Sequence, residues 1–135
     1  MKKKILFLCT GNSARSQLAE ALMRHFRCDE FEVFSAGTDP KGVQPKTIEV
    51  LREIGIDASS QRSKHIDELP IKEFDYIITL CDHAAQNCPV FFGKGVKMYY
   101  GFDDPAAAIG SDQEVLESFR KVRDQIKTFI LGFKA

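Results

Sequence analysis

The chain has 135 residues, 44% of them hydrophobic and 28% charged, and its 19 Lys and Arg residues balance its 19 Asp and Glu residues. This length and composition fit one globular domain over residues 1–135, and the zero net charge argues against nucleic acid as the main partner. The apolar run after Met1–Lys4 is too short for a signal peptide, and no stretch approaches the length of a membrane span. We therefore expect a cytoplasmic monomer with neither nucleic-acid nor membrane partners.

The first half of the chain alternates between apolar runs and amphipathic stretches. The run Lys3–Cys9 predicts a strand that is buried on both faces, and Ala14–Arg27 has the apolar spacing of a helix. The alternating segment Phe31–Ala36 predicts a second strand. A second helix is predicted over Pro45–Ile54, because proline favours a helix start and Gly55 follows as a stop signal.

The second half continues the alternation. Ser63–Leu69 predicts a short helix or turn, Tyr76–Cys81 and Val96–Tyr100 predict two more strands, and Glu114–Phe133 predicts a long final helix. Alternating strands and helices favour a three-layer α/β fold with a four-stranded parallel sheet flanked by helices. Among the few right-handed topologies we expect strand order 2-1-3-4, which places the first and third strands side by side at the edge where such sheets bind ligands.

The segment after the first predicted strand carries the strongest functional signal. Cys9 ends the strand, five residues follow, and Arg15 stands at the start of the helix. Such a loop can turn backbone N–H groups toward one point, where the helix adds its positive end and an arginine can bind two oxygens of a tetrahedral oxyanion. The same field favours the thiolate of Cys9, which is the reactive nucleophile. The predicted oxyanion-binding residues are Thr10, Gly11, Asn12, Ser13, Ala14, Arg15 and Ser16.

Two further cysteines, Cys81 and Cys88, stand at and after the end of the third predicted strand. Neighbouring strands lie about 4.8 Å apart, so Cys9 and Cys81 could form a disulfide with modest movement if the first and third strands are adjacent. Seven residues of helix span about 10 Å, so a bond between Cys81 and Cys88 requires that segment to unwind. A disulfide formed in this way would be open to an external reductant. Two buried thiols or an incidental metal pair remain the alternative.

The loop CTGNSARS and the layout around it resemble the low-molecular-weight protein tyrosine phosphatase fold over nearly the whole chain. Together, CTGNSARSQ, FSAGT, LCDHAAQNCPVF and YGFDDPAA resemble the thioredoxin-coupled arsenate reductases of that superfamily. The resemblance implies that Asp104 is the general acid that assists loss of water while Cys9 attacks arsenate. It further implies that Cys81 attacks Cys9 as arsenite leaves, and that Cys88 then takes over, giving a Cys81–Cys88 disulfide.

The resemblance also implies a role in arsenic detoxification, with arsenate as substrate, phosphate or sulfate as analogues, thioredoxin as external reductant and no bound cofactor. Glutathione with glutaredoxin would suit the same thiol chemistry. A tyrosine or aryl phosphatase, and a redox-sensing oxyanion-binding protein, remain alternatives. A phosphatase would leave Cys81 and Cys88 without a task, and Ala106 and Ala107 stand where phosphatases of this fold usually carry aromatic residues.

Some relatives bind potassium beside the loop, and Asn12, Glu20 and Ser35 match the residues used there. Lys64 stands where an acidic residue is expected. We therefore hypothesise that the Lys64 ammonium group replaces the cation and holds Asn12 and Glu20 itself, which leaves the need for potassium open. No cysteine–histidine set has zinc spacing, so we expect no other metal.

Overall fold

The computed structural model describes residues 2–81 and 93–134. Its sheet is parallel and has strand order 2-1-3-4, counted along the chain, which confirms the predicted α/β fold and strand order. The strands are β1 (Lys3–Leu8), β2 (Phe31–Ala36), β3 (Glu73–Thr79) and β4 (Lys94–Tyr99), and the helices are α1 (Arg15–Phe26), α2 (Pro45–Arg52) and α3 (Asp112–Gly132).

Strand β1 is buried on both faces, as its uninterrupted apolar run predicted. On one face, Ile5 and Phe7 belong to a core shared with the three helices, including Leu18 of α1 and Phe119 of α3. On the other face, Leu6 and Leu8 pack with a smaller cluster, which includes side chains from the segment 66–71. The central strand is thereby fixed, and so is the loop that leaves its carboxyl end.

Strands β3 and β4 both start earlier than their apolar residues indicated. Glu73 pairs with Lys94 of β4, and the Asp75 carboxylate accepts the backbone N–H of Lys4 at 2.7 Å. These polar residues lie on exposed strand positions, so they join the sheet without adding to an apolar run. The predicted start of β3 at Tyr76 was therefore too late.

The predicted strand ends at Cys9 and Cys81 lie just beyond the strands. Strand β1 ends at Leu8 and β3 at Thr79, although the Leu80 N–H still donates to the Leu8 carbonyl at 2.8 Å. Both cysteines therefore stand where the chain leaves the carboxyl edge of the sheet.

The remaining boundaries follow local capping signals. Helix α3 begins at Asp112 because Ser111 and Glu114 form a reciprocal capping box. The predicted short element within Ser63–Leu69 is a single 3-10 turn over Ile66–Glu68. None of the described helices is long and apolar enough to cross a membrane.

Candidate active site

The loop between β1 and α1 depends on one unusual backbone conformation and one close approach. Asn12 is fully buried and has a left-handed φ of 45°, which asparagine tolerates better than most residues. Gly37, just after β2, packs so closely that a Cβ there would lie 2.4 Å from the Thr10 carbonyl oxygen and 2.5 Å from that of Cys9. The loop therefore requires glycine at position 37 for steric reasons.

The outer side of the loop is bonded to the segment before α2. Three backbone N–H groups of that segment donate hydrogen bonds to three carbonyl oxygens of the loop. Because C=O and N–H of one trans peptide point in opposite directions, the N–H groups of the same three peptides point away from that segment and stay available to an anion. These hydrogen bonds join Asp39 N to Thr10 O at 2.9 Å, Lys41 N to Gly11 O at 3.0 Å and Gln44 N to Ser13 O at 3.0 Å.

Cys9 is buried, and its Sγ lies 2.8 Å from the Oγ of Ser16 in the first turn of α1. The Asn12 side chain donates from Nδ2 to the same Ser16 oxygen at 2.7 Å. The Ser16 hydroxyl proton is then available for the sulfur of Cys9, and a hydrogen bond to a thiolate favours that charged form. The arrangement suits Cys9 to act as a nucleophile.

Arg15 lies beneath the same loop with 6% of its surface exposed. One terminal nitrogen, Nη1, faces the carbonyl oxygens of Leu80 at 3.5 Å and Phe102 at 3.3 Å. Within the described part of the chain, its Nε is a buried donor without a hydrogen-bond partner. A buried unpaired donor costs about 1–3 kcal/mol, so this orphaned N–H supports an anion as the group that the loop binds.

Asp104 reaches the cleft from the loop after β4. Its Oδ1 accepts the N–H of Ala106 at 3.0 Å and so caps the 3-10 turn Pro105–Ala107. Its Oδ2 lies 3.6 Å from Nη2 of Arg15, and 39% of the side chain is exposed. The carboxyl group thus lies near the loop of residues 9–15, here called the anion loop, and is accessible to solvent. A proton donor to a leaving oxygen requires such a position.

These groups surround a cleft of about 200 Å³. Its volume is below the roughly 300–1,000 Å³ of pockets that hold drug-sized molecules, so it fits a small anion. Within the described ranges, no aromatic side chain lines it. The lining residues are Cys9, Thr10, Gly11, Ser13, Ala14, Arg15, Lys41, Gln44, Asp104 and Ala106.

Cys81 is buried at the end of the neighbouring strand. The register pairs Leu8 with Thr79, and its continuation places Thr10, rather than Cys9, opposite Cys81. The Thr10 Oγ1 indeed lies 3.9 Å from the Cys81 Sγ. The two cysteines are therefore offset by one residue on adjacent strand ends. Cys88 lies outside the described residues.

The four residues predicted for a cation site come together behind the loop. The Lys64 ammonium lies 3.6 Å from Glu20 Oε1 and 3.5 Å from Ser35 Oγ. We predicted that the Lys64 ammonium group also contacts Asn12. Instead, the Asn12 Oδ1 accepts a hydrogen bond from the backbone N–H of Lys64 at 2.8 Å. Burial lowers the pKa of the Lys64 ammonium, and the nearby Glu20 carboxylate opposes this effect.

Sequence reasoning gave no role to two polar residues that brace the loop. Gln17 donates from Nε2 to both the carbonyl and the side-chain oxygen of Asn12, at 3.1 and 3.0 Å. The Ser63 hydroxyl faces the carbonyls of Gly11 and Asn12 at 3.0 and 2.9 Å. Gln17 falls within the CTGNSARSQ motif, which was the available signal, whereas nothing local marks Ser63.

Residues 4–134 match the low molecular weight phosphotyrosine protein phosphatase family. The chain belongs to this family. An arsenate reductase of Halalkalibacterium halodurans is 47% identical over 132 residues, which cover 98% of this chain and 95% of that one. This family member is also similar to a solved structure described as an arsenate reductase in the oxidized state, with 30% identity, a TM-score of 0.78 and coverage of 95% of this chain and 93% of that one.

A thioredoxin-dependent arsenate reductase of Corynebacterium glutamicum is similar too, at 29% identity and a TM-score of 0.64. That likeness covers 96% of this chain and 62% of the other. The family match spans the anion loop, Asp104 and all the cysteines, so the whole candidate site lies within the region of similarity.

Proposed function

We propose that this protein is an arsenate reductase in which Cys9, Cys81 and Cys88 form disulfides in succession. Thioredoxin reduces the last of these disulfides. The observation that carries the proposal is the placement of Cys9 and Cys81 just beyond the ends of adjacent strands, with Cys81 next to Thr10 of the anion loop. The high identity to an arsenate reductase over nearly the full length supports the same substrate.

In the first step, the loop N–H groups and Arg15 bind arsenate against Cys9. The Cys9 thiolate attacks arsenic, and an oxygen leaves as water after Asp104 supplies a proton. A sulfur–arsenic bond forms, and arsenic remains in its +5 state. The unpaired Nε of Arg15 and the small cleft favour a compact tetrahedral oxyanion for this step.

In the second step, the Cys81 thiolate attacks the sulfur of Cys9. A disulfide forms between them, and the electron pair of the sulfur–arsenic bond passes to arsenic, which leaves as arsenite in its +3 state. Before this step, Cys81 lies beside Thr10, the residue that follows Cys9. The reducing electrons come from the two thiols.

In the third step, Cys88 attacks Cys81 and releases the Cys9 thiolate for another cycle. The resulting Cys81–Cys88 disulfide is reduced by the dithiol of thioredoxin, which itself becomes a disulfide. The similarity to a thioredoxin-dependent arsenate reductase supports this reductant.

The proposal is tested by measuring arsenate-dependent NADPH oxidation with thioredoxin and thioredoxin reductase, and in parallel with glutathione, glutaredoxin and glutathione reductase. We expect sustained turnover with the thioredoxin system and little with the second. Turnover with glutaredoxin alone would contradict the assigned reductant, and no turnover with either system would contradict the reductase itself.

A weak phosphatase side activity is a second proposal. Arg15 and Asp104 lie 3.6 Å apart over Cys9, and phosphoryl transfer to a thiolate with a nearby acid needs the same groups. We expect slow hydrolysis of para-nitrophenyl phosphate that Cys9→Ser abolishes and Cys81→Ser preserves. Loss of hydrolysis in Cys81→Ser would contradict a separate phosphatase reaction.

A further inference from the structure

Lys41 extends along the outer side of the anion loop to the mouth of the cleft. Its backbone N–H is fixed to the Gly11 carbonyl at 3.0 Å, and its side chain lines the same cavity as Cys9 and Arg15. A Cβ on Gly11 would meet the Lys41 Cγ at 3.1 Å, so the missing side chain at position 11 makes room for the lysine stem. The start of the Lys41 side chain is therefore fixed against the loop that binds the anion.

The ammonium end of Lys41 is held on the surface by one carboxylate. Its Nζ lies 2.8 Å from Oδ2 of Asp39, and both side chains are more than half exposed, at 61% and 63%. Exposed ion pairs of this kind contribute little to stability, because water solvates the separated charges well. A doubly charged anion that enters the cleft would compete effectively with Asp39 for the ammonium group.

We propose that Lys41 is a recognition residue that exchanges Asp39 for the incoming oxyanion. Lys41 and Gln44 line the cleft together with Cys9 and Arg15, so the Lys41 ammonium group can reach an anion bound there. This inference deepens the proposed function and rests on it for the reaction, although its test requires anion binding alone.

The test measures the Kd of inorganic phosphate by calorimetry at low ionic strength. Lys41→Met should raise the Kd about fivefold, as expected for one unit charge near an anion in a solvated site, and Lys41→Arg should restore it. Asp39→Asn should lower the Kd about twofold, because it frees the ammonium group. In the double variant the Asp39→Asn effect should disappear.

The matched control is the exposed pair Lys94–Glu73, whose charges lie 3.7 Å apart at the amino ends of β3 and β4, away from the cleft. Lys94→Met and Glu73→Gln change the net charge identically and should leave the phosphate Kd unchanged. Inhibition of hydrolysis of para-nitrophenyl phosphate by phosphate should weaken in Lys41→Met.

A phosphate Kd that responds equally to Lys41→Met and Lys94→Met would overturn the assignment. So would an Asp39→Asn effect that persists without Lys41, since the charge would then act only at long range. Lys41-dependent phosphate binding without arsenate turnover would contradict the proposed function alone. Arsenate turnover with Lys41-independent phosphate binding would contradict the recognition role alone.

Discussion

The Sγ of Cys9 lies 2.8 Å from the Oγ of Ser16, which belongs to the first turn of α1. Asn12 donates to the same hydroxyl oxygen, so the serine is oriented with its proton toward the sulfur. Asn12 is in turn bonded by Ser35, Gln17 and the backbone of Lys64. Cys9 is therefore supported by a chain of hydrogen bonds that extends from the cleft to Ser35 and the backbone of Lys64.

We predict that Ser16→Ala slows alkylation of Cys9 by iodoacetamide about tenfold at pH 7. The variant loses one hydrogen bond to the reacting sulfur, worth about 1–1.5 kcal/mol, and about 1.4 kcal/mol corresponds to a tenfold change in rate. Peptide mapping after timed alkylation measures the rate at Cys9 separately from the other thiols. Ser118→Ala is the control, because that exposed hydroxyl bonds only within α3. Equal alkylation rates in the two variants would contradict the role of Ser16.

Gly37→Ala should weaken phosphate binding more than tenfold. Its Cβ would meet the Thr10 and Cys9 carbonyl oxygens at 2.4 and 2.5 Å, so the anion loop must shift away. The phosphate Kd and the circular dichroism spectrum should be measured together, to separate a local shift from unfolding. Gly132→Ala is the matched control, since a Cβ there meets nothing within 4 Å. Phosphate binding that is unchanged in a folded Gly37→Ala protein would be the contrary result.

We expect potassium and sodium to support equal activity in the unsubstituted protein, because the Lys64 ammonium occupies the place between Glu20 and Ser35. Lys64→Ala leaves the nearly buried Glu20 carboxylate with Arg24 as its remaining ion-pair partner among the described residues, and should destabilise the fold by about 1–3 kcal/mol. Potassium should then raise the Tm of the variant more than sodium does. Strong potassium stimulation of the unsubstituted protein would count against this role.

Glu53 couples α2 to α3 through Arg120 at 2.7 Å and Arg123 at 2.8 Å. The hydrogen bonds from Arg120, and then those from Arg123, lower the pKa of Glu53 from its ordinary value of 4.5. A carboxyl group with a lowered folded-state pKa stabilises the fold above its unfolded pKa and loses that effect as the pH falls through the folded value.

Glu53→Gln should therefore reduce the free energy of unfolding by about 1 kcal/mol at pH 7, and the difference should shrink as the pH falls below the ordinary glutamate pKa of 4.5. Urea unfolding across this pH range measures both quantities, and Glu32→Gln on exposed β2 surface serves as control. A difference that stays constant down to pH 3 would show that the two arginines do not stabilise the charged carboxylate.

The sequence was informative wherever a local signal coincided with the tertiary structure. Strand β2 lies over Phe31–Ala36, as its alternation predicted, and the buried run of β1 placed the anion loop correctly. The sequence analysis missed the start of β3 at Glu73, because the first residues of the strand are polar. They belong to the strand through pairing with β4, which an apolar pattern cannot indicate. The earlier start of α3 was available from the Ser111–Glu114 capping box.

The finer geometry of the site depended on long-range contacts that no local pattern encodes. The one-residue offset that places Cys81 beside Thr10 follows from the register of β1 and β3. The close packing of Gly37 and the position of Lys41 depend on how a distant segment folds over the loop. Motifs therefore predicted the candidate site residues, whereas the sheet register places Cys81 opposite Thr10 rather than Cys9.

The thiol relay is tested most directly by counting the arsenite that Cys88→Ser releases from excess arsenate, with thioredoxin and its reductase present. The relay predicts a single equivalent of arsenite for each protein molecule, together with a trapped Cys9–Cys81 disulfide in the peptide map, and no arsenite from Cys9→Ser. Continued turnover of Cys88→Ser at the rate of the unsubstituted protein would contradict the relay.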